Sequence, residues 1–150
     1  MGMRSAGAVG LSALALASVC ASVSWAQAPA TPSASAPIRL ELNRLEADGD
    51  NCHAYLLIDN SAGTAHRSFK VDLFVLDTDG IATKRVLLEL GPIAAKKTLI
   101  RLFDIQNLPC AKFGKVLLND VPVCDTETGE HQSCLASTTT DSKAAVPLIK

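Results

Sequence analysis

The sequence predicts an all-β domain, built as a two-sheet sandwich of about seven strands. Two observations carry this reading. Apolar residues recur with a period of two rather than 3.6, the alternation of a strand with one buried face. The runs are also short, and each is closed by Asp, Asn, Gly or Pro, as in a chain that turns back after every strand.

Taken in order, Leu40 and Leu42 alternate with Arg39, Glu41 and Asn43 in a first strand, which ends at Asp48-Gly49-Asp50-Asn51. Cys52, Ala54, Leu56 and Ile58 line one face of a second strand, closed by Asp59 to Gly63. Phe69, Val71, Leu73 and Val75 line a third, with Lys70 and Asp72 opposite. Asp77-Thr78-Asp79-Gly80 predicts a hairpin, because Asp-Gly supplies the positive φ that tight hairpins need. Val86, Leu88 and Leu90 make a fourth strand before Gly91-Pro92, residues 99–103 a fifth and residues 115–119 a sixth. The tail predicts one or two edge strands, around Leu135 to Thr139 and Ala144 to Ile149, where Pro147 suits an edge. A short helix or 3₁₀ turn is expected at Phe103 to Leu108, where alternation fails, and a turn at Asn119-Asp120 ahead of Val121-Pro122. Two strands, Tyr55 to Ile58 and Leu99 to Phe103, are apolar on both faces, so each is expected to be central or covered by a partner.

Residues 1–26 have the layout of a secretory signal peptide. Arg4 gives a positive start, an uncharged apolar run extends from Ala6 through Ala21, and the small residues Ser24 and Ala26 stand where signal peptidase needs them. The expected cut lies between Ala26 and Gln27. The run is too short and too rich in Ala and Ser for a retained span, so no membrane span is expected after cleavage. A lipoprotein would use Cys20, but Val19 stands where a small residue is required. Residues 27–37 read as a disordered Pro/Ala/Ser linker, which leaves residues 38–150 as one domain.

Composition narrows the function. Of the 14 basic residues only Arg4 precedes the cut, leaving 13 against 15 acidic residues, a net charge of −2. Such a balance offers nothing to nucleic acid or an anionic membrane. Met1, Met3 and Trp25 all lie in the signal, so the mature chain lacks the Met ligands of copper carriers and the Trp platform of sugar-binding modules. Of the five cysteines, Cys20 leaves with the signal. Cys52, Cys110, Cys124 and Cys134 remain, an even number with three possible pairings. The turn residues around Gly129 favour Cys124 with Cys134, leaving Cys52 with Cys110; such bridges contribute about 3 and about 4 kcal/mol by loop entropy.

Candidate chemistry is sparse. There is no C-x-x-C pair, and Cys124, His131 and Cys134 do not match a zinc spacing. Asp77, Asp79 and Gly80 lack the outer acids of a calcium loop, since Val75 and Val86 stand in those places. His53, His66 and His131 are scattered and read as solvated or capped side chains. His53 beside Cys52 would suggest an activated thiol only if Cys52 were free. Asp104 and Asp120 read as turn caps. No nucleophile elbow, zinc-protease or phosphate-loop motif is present.

The segments Tyr55-Leu56-Leu57-Ile58-Asp59-Asn60, Val71 to Gly80, Gly91-Pro92 and Leu102-Phe103-Asp104 are similar to FxLYD-like, immunoglobulin-type domains of bacterial envelopes. With Cys52, Cys110, Asn119-Asp120, Cys124 and Cys134, the chain resembles a proteobacterial family labelled as Tat pathway signal sequence domain proteins. That label describes export alone, and this chain departs from it by lacking the twin arginine. The resemblance implies an immunoglobulin-like sandwich and brings no catalytic residues.

These readings predict a periplasmic or secreted, non-enzymatic module of the cell envelope, with no cofactor and no metal, whose partner is another envelope protein. An exposed edge strand pairing with an extended peptide is one route to such contact. Two alternatives stand beside it: a small-ligand or metal-binding protein using His53 and His131, and a thiol-redox protein using a free, low-pKa thiol.

Overall fold

Alternation becomes strand along most of the domain. The structure is a computed structural model and describes residues 37–129 and 134–150. The signal peptide, the cut between Ala26 and Gln27, His131 and all of the linker but Pro37 lie outside the described residues. The elements are β1 (Arg39–Asp48), β2 (Asn51–Asn60), β3 (His66–Leu76), β4 (Ala82–Glu89), β5 (Lys97–Ile105), a 3₁₀ turn (Cys110–Lys112), β6 (Lys115–Thr126), α1 (Cys134–Ser137), β7 (Thr139–Ser142) and β8 (Leu148–Ile149). They form two four-stranded sheets, in the orders β5-β2-β1-β7 and β4-β3-β6-β8. β7 joins β1, and β8 joins β6, in parallel; the other pairs are antiparallel. The domain is an all-β sandwich.

Turn chemistry sets the register of both hairpins. Asp48 pairs with Asn51 across a two-residue loop whose first member, Gly49, has φ +56°. A glycine at that position with positive φ is what a type II′ hairpin turn requires. In the β3–β4 hairpin, Asp77 Oδ1 accepts hydrogen bonds from the backbone N–H groups of Asp79 (3.0 Å) and Ile81 (2.8 Å), while Gly80 takes φ +83°. That Asp77 oxygen is therefore engaged in closing the loop.

The inward faces form one core. Leu40, Leu42, Leu56, Ile58, Phe69, Val71, Val75 and Leu118 are almost wholly buried, with Leu90 and Ile93 beside them. A void of about 20 Å³ lies within it, lined only by apolar side chains. That is about the size of one water molecule, and it accommodates no organic ligand.

Several local expectations are corrected. The 3₁₀ turn falls at Cys110–Lys112, not at Phe103 to Leu108, because β5 keeps its pairing to the end: Phe103 faces Ala54 and Ile105 faces Cys52. Residues 119–122 are not a turn. β6 runs through them with a bulge, Asp120 opposite Asp72 and Val123 opposite Lys70, and a bulge tolerates the missing N–H of Pro122. The tail supplies two edge strands, β7 and β8, as expected, but the first begins only at Thr139 and not at Leu135. Cys134–Ser137 wind into one helical turn closed by Thr138, whose Oγ1 donates to the Cys134 carbonyl at 2.6 Å. Lys150 Nζ then caps the carbonyls of Leu135 (3.2 Å) and Thr138 (2.7 Å). β2 is central, but β5 is an edge strand, and its apolar outward residues lie open.

A polar lock sits on the second sheet. Asp72 in β3 is buried and accepts hydrogen bonds from Arg85 Nε (2.8 Å), Arg85 Nη2 (3.1 Å) and Asn119 Nδ2 (2.9 Å). The Arg85 guanidinium holds the Asp72 carboxyl below its ordinary pKa, with Asn119 assisting against the opposing effect of desolvation. The folded state thus binds its proton less readily than the unfolded chain does. The resulting stabilisation is present above the unfolded pKa of about 3.9 and is lost as pH falls through the lower folded value. Arg85→Gln should therefore reduce stability at neutral pH. The difference from the parent should shrink in urea titrations carried below about pH 4.

Candidate functional site

Two regions gather the side chains that can act outside the core: the outer face of β2 and β5, and the His66 end of β3.

On the first sheet, pairing puts Leu57 opposite Ile100 and Tyr55 opposite Leu102. Directly opposed residues share a face, so these four side chains form one apolar patch pointing away from the core. Ile100 and Leu102 are 52% and 51% exposed, and Tyr55 and Leu57 are half-buried. The patch has a charged border on β1. Arg44 lies 4.2 Å over the Tyr55 ring and pairs with Glu46 at 2.7 Å, and the Tyr55 hydroxyl donates to the same Glu46 at 3.1 Å. These two contacts hold the Tyr55 ring in place. At the Tyr55 end of the patch, His53 Nδ1 meets Asp104 Oδ1 at 2.5 Å and its Nε2 lies 3.6 Å from Asp48. Asp104 is therefore a partner for His53 rather than a turn cap.

The cysteines are paired. Cys52 is bridged to Cys110 and Cys124 to Cys134. Cys52 faces the core and is fully buried, whereas His53 faces outward, so the neighbours in sequence do not meet as a thiol–imidazole pair.

His66 is the residue that sequence reasoning misplaced. It is 5% exposed, not solvated. It opens β3, and its backbone exchanges two 2.8 Å hydrogen bonds with Ile93. Its ring meets Phe69 edge-on, with centroids 5.7 Å apart. Burial pushes the imidazole below its ordinary pKa, against a smaller upward pull from a backbone hydrogen bond with Thr64. Nδ1 is buried with no hydrogen-bond partner among the described residues. A ring nitrogen of His66 and the sulfurs of Cys124 and Cys134 all lie within 4.8 Å of one another. Because Phe69 pairs with Cys124 across β3 and β6, the sheet brings together residues 58 positions apart in the chain. Only the β3–β6 pairing could have exposed this cluster in the sequence. A cleft of about 500 Å³ opens beside it, with Ala65, His66, Pro92, Ile93 and Glu127 among its walls. Asn60 fixes this end by donating from Nδ2 to the carbonyls of Thr64 (2.7 Å) and Ala94 (3.0 Å).

The chain matches no protein-family model, no curated protein and no solved structure.

Proposed function

We propose that this chain is an exported, non-enzymatic sandwich module of the cell envelope, periplasmic or secreted, that acts by protein contact through the outer face of β2 and β5. The observation that carries the reading is the Tyr55, Leu57, Ile100 and Leu102 patch. An apolar cluster with a fixed aromatic residue and a charged rim has the composition of a contact surface. Two disulfides fit an oxidising compartment. No helix among the described residues is long and apolar enough to cross a membrane.

Contact is assigned to the face and not to the open edges. Of the four sheet edges, β7 and β8 are only 4 and 2 residues long, and the longer β4 and β5 each carry a cation on the core side: Lys84 opposite Val75, and Arg101 opposite Leu56. Lys84 Nζ reaches the Gln106 carbonyl at 2.9 Å, bridging the two sheets on that side. Inward charges on edge strands are a device against strand addition. The partner is accordingly a folded envelope protein offering its own apolar patch, rather than an extended peptide.

The test is the double substitution Ile100→Asp with Leu102→Asp. Both side chains are exposed, so stability should change by no more than about 1 kcal/mol. Affinity for the partner should fall by about thirtyfold or more, as for loss of interface anchors. A folded double variant that keeps full partner binding and phenotype rejects the proposal.

A further inference from the structure

We infer that His66, Cys124 and Cys134 form a redox-gated binding site for a soft, thiophilic cation, closed when the two cysteines are bridged and opened when they are reduced. The site lies on the second sheet and does not depend on the contact face of the first.

One imidazole nitrogen and two sulfurs within 4.8 Å make an N,S,S donor set. Two thiolates on one tetrahedral ion stand about 3.7 Å apart, from metal–sulfur bonds of about 2.3 Å. Side-chain rotation reaches that separation from Cα atoms 6.2 Å apart. The second observation is the unpartnered Nδ1 on a residue more than nine-tenths buried. An orphaned polar atom in a packed interior is costly unless something meets it. A metal-bound histidine characteristically uses its other nitrogen to donate to a carbonyl or carboxylate. The cleft beside His66 supplies an entry path. By contrast, the Cys52–Cys110 pair belongs to no such three-ligand group among the described residues.

A dithiol reductant gives two electrons and two protons to the Cys124–Cys134 bridge; the protein becomes a dithiol and the reductant a disulfide. The soft cation, Zn²⁺ or Cu⁺, then displaces two protons, one from each thiol, and takes the Nδ1 lone pair of neutral His66. Thiolate and imidazole donors select Zn²⁺ and Cu⁺ over the hard cations. A disulfide oxidant takes two electrons from the two thiolates by thiol–disulfide exchange and leaves as a dithiol; the Cys124–Cys134 bridge re-forms and the ion is released. The site would thus hold metal only while the local thiol pool is reducing.

The experiment uses the exported protein, purified oxidised and then reduced anaerobically with a phosphine. Co²⁺, as the spectroscopic stand-in for Zn²⁺, should give a thiolate-to-metal absorption band at one equivalent. A Cu⁺ arm, read by competition with a coloured chelator, decides between the two soft ions. The oxidised protein should give neither signal. Cys124→Ser with Cys134→Ser should abolish binding while Cys52 and Cys110 remain. His66→Gln should weaken it by roughly tenfold or more, since even outer partners of a ligand are worth that. Should His66→Gln unfold, the wild-type histidine ring NMR signals replace it: metal should shift His66 and leave His53 unmoved. No uptake after reduction, uptake carried by Cys52 and Cys110, or uptake that leaves the His66 ring unshifted would each overturn the inference.

Discussion

Phe69→Ala is expected to cost about 3–5 kcal/mol, the range for emptying a large aromatic site in a packed core. Phe69 is fully buried on β3, the central strand between β4 and β6, and its ring is the edge-on neighbour of His66. Two consequences follow from its removal. The transfer energy of the ring is lost, and the rigid sheets on either side cannot collapse fully into the space. A domain of this size has about 5–15 kcal/mol to lose, so the variant should sit near the edge of folding. Urea denaturation of Phe69→Ala beside Ile100→Ala is the comparison to make, because Ile100 is a large apolar residue on the surface. Ile100→Ala should move stability by about 0.5 kcal/mol or less. Similar costs for both would show that the core does not lie where Phe69 places it.

Replacing Cys52 and Cys110 together by Ala should remove about 4 kcal/mol, and replacing Cys124 and Cys134 about 3 kcal/mol. The order follows from loop length. The first bridge spans 58 positions and ties β2 to the 3₁₀ turn, while the second spans 10 and ties β6 to α1. Closing the longer loop removes more freedom from the unfolded chain. Calorimetric midpoints of the two double variants give the ranking directly. A larger loss from the short bridge would mean that native packing around Cys124 and Cys134, and not loop entropy, dominates.

What the sequence made legible was governed by local rules. The buried stripes of β2 and β3, residues 52–58 and 69–75, were readable because one buried face imposes strict alternation. The Gly49 and Gly80 turns were readable because they need positive φ. Failures came where a distant partner overrides the local signal. Residues 119–122 carry turn chemistry, yet pairing with β3 holds them in a bulged strand, and Asn119 is drawn to the buried Asp72. Leu135 to Thr139 alternates weakly, yet α1 is closed by Thr138 and capped by Lys150 from the far end of the tail. The candidate sites divide in the same way. The apolar outward residues of residues 99–103 were visible as an anomaly, although their place at a sheet edge was not. His66 was invisible as a buried group because strict alternation back from Phe69 puts it on the outer face; a bulge between His66 and Ser68 and the bridge to Ile93 turn it inward.

The contact face is the central claim, and photo-crosslinking in intact cells tests it most directly. A photoreactive residue would replace Ile100 or Leu102 in turn, with Ile81 as the reference position. Ile81 is 63% exposed and apolar, but it sits alone in the β3–β4 hairpin loop. Positions 100 and 102 should give one discrete protein adduct of the same mass, which Leu57→Asp abolishes, while position 81 gives none. Equal yields from all three positions, or no adduct from 100 and 102 in cells where the protein is functional, would contradict the assignment of this face.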